Sequence, residues 1–560
     1  MTHNGSKILV EALKRQNVEY IFGYPGGAIL PVLDAIYNET SFRFVLPRHE
    51  QAAGHAADGY ARATGKVGVC LVTSGPGMTN LTTALATAYM DSAPIVALTG
   101  QVKTSLIGND AFQEVDTTGI TNAITKHNYL IERASDIPRV IAEAFYIALS
   151  GRPGPVVIDL PVDIMSAHAK YDYDKSPEME LPGYHPEKTL SDEDVETVMR
   201  SIHSSQRPLF YVGGGVVSAN AGEILTAVAR KLGVPVTTTL NGLGSFPSSD
   251  PLSLGMLGMH GTVYANTAVQ ECDLLISIGA RFDDRVTGKL DEFAPKAEII
   301  HIDIDPTSIN KSVRVDYSVV CNARVFLEKL FEIAYEQDIR PWTQKLSEIK
   351  KSNPLWCQNN GVLKPQKILR AIEEVVNGNA IIVTDVGQHQ MWAAQWIGYE
   401  KPRTFISSGG LGTMGFGLPA ALGAQIGVPE KKVILITGDG SLQMNIQELQ
   451  TCSSLGIPIK IFVMNNGYLG MVRQWQELFY EKRYSQTDLA ASNPDFVRVG
   501  KAFGIKSEKI ESSEGLVTKV RKLLMAEGPI LADFRIEREE NVFPMVPSGK
   551  PLSQMIGGLA

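Results

Sequence analysis

Two short polar stretches, Gly438-Asp439-Gly440 and Asn465-Asn466, stand 24 residues apart and carry hard oxygen donors. A carboxylate and an amide oxygen brought to one place suit Mg²⁺, which takes few protein ligands and completes its octahedron with water and phosphate oxygens. Taken singly, the same residues read as a capping Asp and turn asparagines. A second carboxylate, Glu50, lies in Pro47-Arg48-His49-Glu50-Gln51; alone it reads as a first-turn Glu favoured by the helix dipole. His49, Glu50 and His55 make a poor zinc set, because histidines at this spacing do not share a helix face as an i, i+4 pair does.

The elements that must position these groups follow from apolar patterning. The β-branched run 433–437 predicts a buried parallel strand ending at Gly438, helical spacing follows over 445–453, and 459–464 is a second buried strand. One strand–helix–strand unit thus brings Asp439 and Asn466 to the same carboxyl edge of a sheet, where open α/β sheets bind ligands. The same alternation predicts strands at 20–22, 42–46, 67–73, 95–98 and 156–160 in a first domain, with helices at 7–16, 51–62 and 80–89. A middle domain has strands at 208–212, 234–239, 273–278 and 298–302 and a helix at 221–232. Gly213-Gly214-Gly215 after its first strand and Asp303 and Asp305 after a later one follow nucleotide-binding logic, without a G-x-G-x-x-G match. A third domain opens with the strand 380–384, running into Asp385-Val386-Gly387-Gln388-His389. The expectation is an α/β chain of three doubly wound, mainly parallel-sheet domains at 1–185, 190–335 and 364–540, with a tail at 541–560 and polar linkers at 166–190 and 336–362. No internal duplication is legible, although the turns Ser74-Gly75-Pro76-Gly77 and Ser408-Gly409-Gly410 look like similar devices in the outer domains.

Composition agrees. A chain of 560 residues is too long for one core. Its net charge of −8 argues against nucleic acid and anionic membranes as partners. Cys70, Cys272, Cys321, Cys357 and Cys452 are scattered and odd in number, the usage of a reduced compartment. With no signal-type apolar core and no run long enough to span a bilayer, the expected location is cytoplasmic.

The paired stretches around Asp439 and Asn466 resemble the thiamin-diphosphate motif, GDG followed by NN. That resemblance implies Asp439, the Asn466 side chain and the Tyr468 carbonyl as Mg²⁺ ligands, with Gly438, Gly440, Ser441, Gly470 and Met471 around the diphosphate. The stretches Tyr24-Pro25-Gly26-Gly27-Ala28, Arg48-His49-Glu50-Gln51, Thr73-Ser74-Gly75-Pro76-Gly77 and Asp110-Ala111-Phe112-Gln113-Glu114 narrow it. They resemble the large subunit of acetolactate synthase, and the likeness runs through essentially the whole chain. It implies Glu50 as the carboxyl that drives the pyrimidine proton relay, and Gly27, Gln113 and Lys126 near the reacting centre. A solvated side chain is the plain reading of Lys126. Gly387, Gln388 and His389 would touch the diphosphate, Gly412 would give a backbone oxygen to the pyrimidine, and Met414 would be the wedge that bends the cofactor; otherwise His389 reads as a helix-start cap and Met414 as core filler. Residues 255–266 and 281–289 resemble the family's FAD segments, so Arg152, Gly213, Gly214, Leu257, Gly258, Met259, His260, Gly261, Arg281, Asp283, Arg285, Asp303 and Asp305 would border a flavin. Arg285 also suits an acceptor carboxylate as a bidentate donor, and Met471, Val472 and Trp475 would roof the second substrate.

The activity implied is decarboxylation of pyruvate and transfer of the two-carbon unit to pyruvate or 2-ketobutyrate, the first common step of valine, leucine and isoleucine biosynthesis. Its nearest rival is a flavin-dependent pyruvate oxidase. The family also implies a homodimer or dimer of dimers, and its anabolic members pair with a small regulatory subunit.

Overall fold

Three sheets organise the chain, and the computed structural model describes residues 2–172, 175–186, 188–358 and 360–557. The first comprises β2 (Tyr20–Gly23), β3 (Arg43–Val45), β4 (Gly68–Val72), β5 (Ile95–Gln101), β6 (His127–Leu130) and β7 (Val156–Pro161). A small antiparallel pair, β1 (Thr2–Asn4) with β8 (His168–Lys170), ties the start of the chain to the end of this domain. The middle sheet holds β9 (Pro208–Val212), β10 (Val236–Thr238), β11 (Ser253–Met256), β12 (Leu274–Ile278), β13 (Glu298–Asp303) and β14 (Tyr317–Val320). The third holds β15 (Ala380–Thr384), β16 (Phe405–Ile406), β17 (Lys432–Gly438), β18 (Lys460–Asn465), β19 (Lys506–Ile510) and β20 (Ile530–Arg535). All three large sheets are parallel throughout. Each is covered on both faces, because its strands are apolar on both sides: Ile434 and Phe462 face one core cluster, and Leu435 and Val463 the opposite one.

Strand order sets the sites. The middle sheet runs β11-β10-β9-β12-β13-β14, the doubly wound dinucleotide order, and its direction of winding reverses between β9 and β12. The outer sheets run β3-β2-β4-β5-β7-β6 and β16-β15-β17-β18-β20-β19, which is one and the same order when strands are counted within each domain. Their reversals fall between β2 and β4 and between β15 and β17. At each reversal two neighbouring strands feed loops to opposite faces, leaving a crevice at the carboxyl edge.

Several sequence expectations need correction. The segment expected as a linker at 336–362 contains the helix Arg340–Ser352, whose Trp342 and Leu346 lie one turn apart and bury against the middle domain while the remaining faces stay polar. The helix expected at 445–453 starts later, as Glu448–Leu455, and a separate short helix that was not expected, Asp439–Gln443, precedes it and begins on the candidate metal ligand itself. The likeness between the turns at 74–77 and 408–410 does not survive either. In chain order the counterpart of 408–410 is the turn before Glu50, since Glu50–Thr64 and Gly417–Gly427 both follow the second strand of their domains. The last three residues of the expected tail, 558–560, lie outside the described residues. Among the described residues no helix is long and apolar enough to cross a membrane.

Those two helices pack on each other and join the outer domains. A Cβ at Gly423 would overlap the Ala56 carbonyl oxygen, and one at Gly59 would overlap that of Ala420. Backbone touches backbone here, so there is no flexible neighbour to give way. Gly423→Val is expected to destabilise the protein by about 2 kcal/mol or more through overpacking. A lowered urea midpoint together with reduced soluble yield is the measurement; an unchanged midpoint would mean that the outer domains do not depend on this contact.

Candidate active site

The carboxyl edge of the third sheet gathers the residues singled out by their spacing. Asp439 follows β17 directly and Asn466 follows β18, and these strands are hydrogen-bonded neighbours. Asp439 is buried, its Oδ2 accepts from Asn493 Nδ2 at 2.6 Å, and burial raises its pKa to about 6. Such a carboxylate gains from a cation. Asn466 donates through Nδ2 to Gln388 Oε1 at 3.2 Å, and its Oδ1 accepts from Tyr468 N–H at 3.1 Å with a lone pair to spare. Among the described residues no three His, Cys, Asp or Glu side chains converge on a metal. An ion here would be held by one carboxylate, one amide and a backbone oxygen, with phosphate and water completing the shell, which is a set that fits Mg²⁺.

The surroundings fit a diphosphate. Gly387, Gln388 and His389 leave β15 on the other side of the same crevice, and the helix Gln388–Trp396 starts there. The helix Gly470–Phe479 starts beside Asn466, so two helix N-termini bring free N–H groups to the edge. His389 is buried and held neutral, with a pKa of about 3, and its Nε2 has no partner in the protein. Any side chain at Gly470 would overlap Gln388 Oε1 and press on Asn466 Nδ2. Met414 Cε would lie 3.7 Å from a Cβ at Gly440, which puts that side chain above the GDG turn. Ser441 Oγ donates to the Val386 carbonyl at 2.9 Å, closing the crevice floor.

A cavity of about 670 Å³ opens from this edge into the middle domain. Of the residues expected at a flavin, Arg152, Gly213, Gly214, Leu257, Met259, His260, Arg281, Asp283, Arg285 and Asp303 line it, at the reversal between β9 and β12. Gly412, Met471 and Trp475 line the same space from the third domain. Gly258, Gly261 and Asp305 do not. Gly258 and Gly261 are packed against the Arg285 carbonyl and Leu257 backbone, and Asp305 caps Thr307 and pairs with Arg152 at 3.3 Å. Val472 is on the exposed side of its helix, whereas Trp475 is half-buried with its ring 5.1 Å from that of Phe479. The tail lies across both domains: Val546 N–H donates to the Met259 carbonyl at 2.7 Å, and Gln474 exchanges hydrogen bonds with the Val542 backbone.

The first domain contributes differently. Glu50 begins the helix Glu50–Thr64, and its Oε2 accepts from Asn80 Nδ2 at 3.0 Å. His49 caps that helix through Nδ1, and His55 is buried edge-on to Phe416, so the histidines form no metal set with Glu50. Gly27 and Gln113 lie exposed on the same edge, Gln113 with a left-handed φ of 58°. Lys126 is no solvated lysine. Its ammonium donates to the Ile147 and Ser150 carbonyls and to Tyr184 Oη, closing the end of the helix Ile137–Leu149, and burial lowers its pKa to about 8. It is absent from the cavity wall.

Sequence reasoning passed over Asp91, Asn241, Gln390 and Ser408, all in the cavity wall. Asp91 and Asn241 are isolated polar residues, while Gln390 and Ser408 lie in or beside stretches read for their neighbours. The only available signal was Asp91 as a charge ending an otherwise apolar helix.

Asp439→Ala is expected to abolish the Mg²⁺-dependent part of thiamin-diphosphate binding. Titration by intrinsic fluorescence with and without chelator tests it, and an Mg²⁺ response equal to the parent's would remove Asp439 from the metal site.

The chain matches family models described as the N-terminal TPP binding domain, the central domain and the C-terminal TPP binding domain of thiamine pyrophosphate enzymes, over residues 3–120, 195–330 and 385–534. It is 48% identical to an acetolactate synthase large subunit of Parasynechococcus marenigrum, covering 99% of this chain and 91% of that protein. It is 45% identical to one of Haemophilus influenzae, over 99% and 98%, and 49% identical to an acetolactate synthase of Mycobacterium leprae, over 97% and 89%. With the three sheets, the glycine-lined edge and this likeness over nearly the full length, the chain belongs to the acetolactate synthase family of thiamine pyrophosphate enzymes.

Proposed function

We propose that the chain is the catalytic subunit of an acetolactate synthase, converting two pyruvates to 2-acetolactate, or pyruvate and 2-ketobutyrate to 2-aceto-2-hydroxybutyrate. The observation that carries this reading is the single cavity shared by the flavin-type stretches of the middle domain and the Gly412, Met471 and Trp475 wall of the third. Thiamin diphosphate, when bound, supplies a nucleophilic carbon and an electron sink for the departing CO₂. The chain does the rest. Asp439, Asn466 and the Tyr468 carbonyl would hold the Mg²⁺, while Gly387, Gln388 and His389 orient the diphosphate. Met414, above the GDG turn, would pack against the cofactor, and Glu50 would hold or move a proton at its carboxylate. FAD would lie between Gly213–Gly214 and the Arg281–Arg285 segment. Arg285, 60% exposed at the cavity mouth, is placed to receive a carboxylate as well as to border the flavin.

A single chain does not complete this site. Asn80 fixes Glu50, and Thr87, on the same helix, holds the loop carrying Gly412 through Thr413. The two anchors stand seven positions apart on the helix, about 10 Å along the axis, far beyond hydrogen-bond reach. Glu50 would therefore serve a cofactor bound to a second copy, which supports a homodimer whose exposed Gly27 and Gln113 face the partner. A separate small regulatory subunit accords with the large-subunit naming of the relatives. The scattered cysteines, all free, suit a cytoplasmic location.

Two measurements test the reading. Loading the enzyme with a flavin that cannot cycle between redox states is expected to leave acetolactate formation from pyruvate intact with no peroxide, whereas loss of turnover would favour the pyruvate oxidase alternative. Trp475→Leu is expected to lower the preference for 2-ketobutyrate over pyruvate as acceptor, within the roughly 10- to 200-fold that one methylene provides. Product ratios with both acceptors present decide it, and an unchanged ratio would place Trp475 outside the acceptor wall.

A further inference from the structure

The helix Pro76–Asp91 ends in the cavity wall, and its last residue is tied to all three domains. The Asp91 carboxylate is fully buried. Its Oδ1 accepts from Asn241 Nδ2 of the middle domain at 2.8 Å and from Gly410 N–H of the third at 2.7 Å. Its Oδ2 accepts from Gly409 N–H at 3.0 Å and from Arg62 Nη2 of the first domain at 2.8 Å. One turn earlier on the same face, Thr87 Oγ1 shares a hydrogen bond with Thr413 Oγ1 at 2.7 Å. The next residue, Ser92, accepts from Arg152 Nε at 2.8 Å.

The fit leaves no slack. A Cβ at Gly409 would stand 2.8 Å from the Asn241 amide, and one at Gly410 would stand 3.0 Å from Asp91 Oδ1. The loop leading to Gly412 therefore takes its position from this carboxylate, and so does Asn241 on the flavin side. Charge-assisted bonds from backbone N–H groups to a buried carboxylate are the strong kind, and losing the acceptor leaves its donors unpaired.

We propose that Asp91 is a positioning residue that couples the two cofactor sites, holding the Gly409–Gly412 loop and Asn241 in one register so that ordering either end orders the other. This rests on the reading of the cavity as the flavin seat and of its Gly412 rim as the thiamin-diphosphate side. Ordering one end in advance lowers the cost of binding at the other, and the gain is reciprocal by linkage.

The test is the coupling factor: thiamin-diphosphate affinity with Mg²⁺, measured by intrinsic fluorescence with and without saturating FAD, and FAD affinity with and without thiamin diphosphate. In the parent each cofactor is expected to tighten the other by the same factor, about fivefold or more. Asp91→Asn should bring that factor close to one. Asn241→Ala, which removes a single donor and leaves the rest of the cluster, should lower it in a folded protein. Val520→Ala, a core truncation on the helix Leu516–Met525 outside the cavity wall, should lower stability and leave the factor intact, a pattern that a merely structural role for Asp91 would not give. A parent factor of one with both cofactors bound, or a parental factor in both Asp91→Asn and Asn241→Ala, overturns the proposal. A parent that binds no FAD overturns the cavity reading itself and the coupling with it.

Discussion

Backbone against backbone, where the helix Glu50–Thr64 meets Gly417–Gly427, is the contact on which the rest depends. Glycine at 59 and 423 lets the helices close to a separation that side chains would forbid. That fixes the first sheet relative to the third, and the crevices at their carboxyl edges come with it. Nearby, the buried Glu448 carboxylate accepts from Arg48 N–H at 2.9 Å and from Thr451 Oγ1 at 2.7 Å, so the turn just before Glu50 is also held from the third domain. The middle domain is then placed against both by Asp91, Arg152 and the tail.

This arrangement explains why so many acids are buried at the edges. Asp385, Asp439 and Glu448 all have pKa values pushed up, to about 6, 6 and 7, with burial as the main cause. They differ in what relieves that burden. Asp385 accepts Val386 and Gly415 N–H groups and so organises the loop that carries Gly412 and Met414. Glu448 has its backbone and hydroxyl donors. Asp439 has one amide, which leaves it as the acid with room for a cation.

The fold was legible at most strands whose two faces are both apolar, though the central strand β20, interrupted by the buried Asp533, was not read. The runs at β4, β5, β9, β12, β15, β17 and β18 were visible for that reason. Half-exposed edge strands were not: β6, β14 and β19 carry His, Ser, Lys or Glu and pair on one side only. The helix Arg340–Ser352 was hidden because two buried side chains suffice to dock it. In the site, glycine turns and their acids could be read because each sits at a strand end, where position dictates chemistry. Lys126 misled only in its plain reading as solvated, since its ammonium closes a helix end through carbonyls. Asp91 stayed silent because its partners in the other two domains lie 150 and more residues away in sequence, and only folding brings them together.

The shared strand order of the outer sheets carries one more consequence. Gly59 presses on the carbonyl of Ala420 and Gly423 on that of Ala56, and in each helix the two positions are three residues apart. The contact is the same surface met twice, as in an isologous interface between identical subunits, yet it lies within one polypeptide. The two outer domains thus meet as the subunits of a small dimer do, in a twofold-like contact that the amino-acid sequence does not betray.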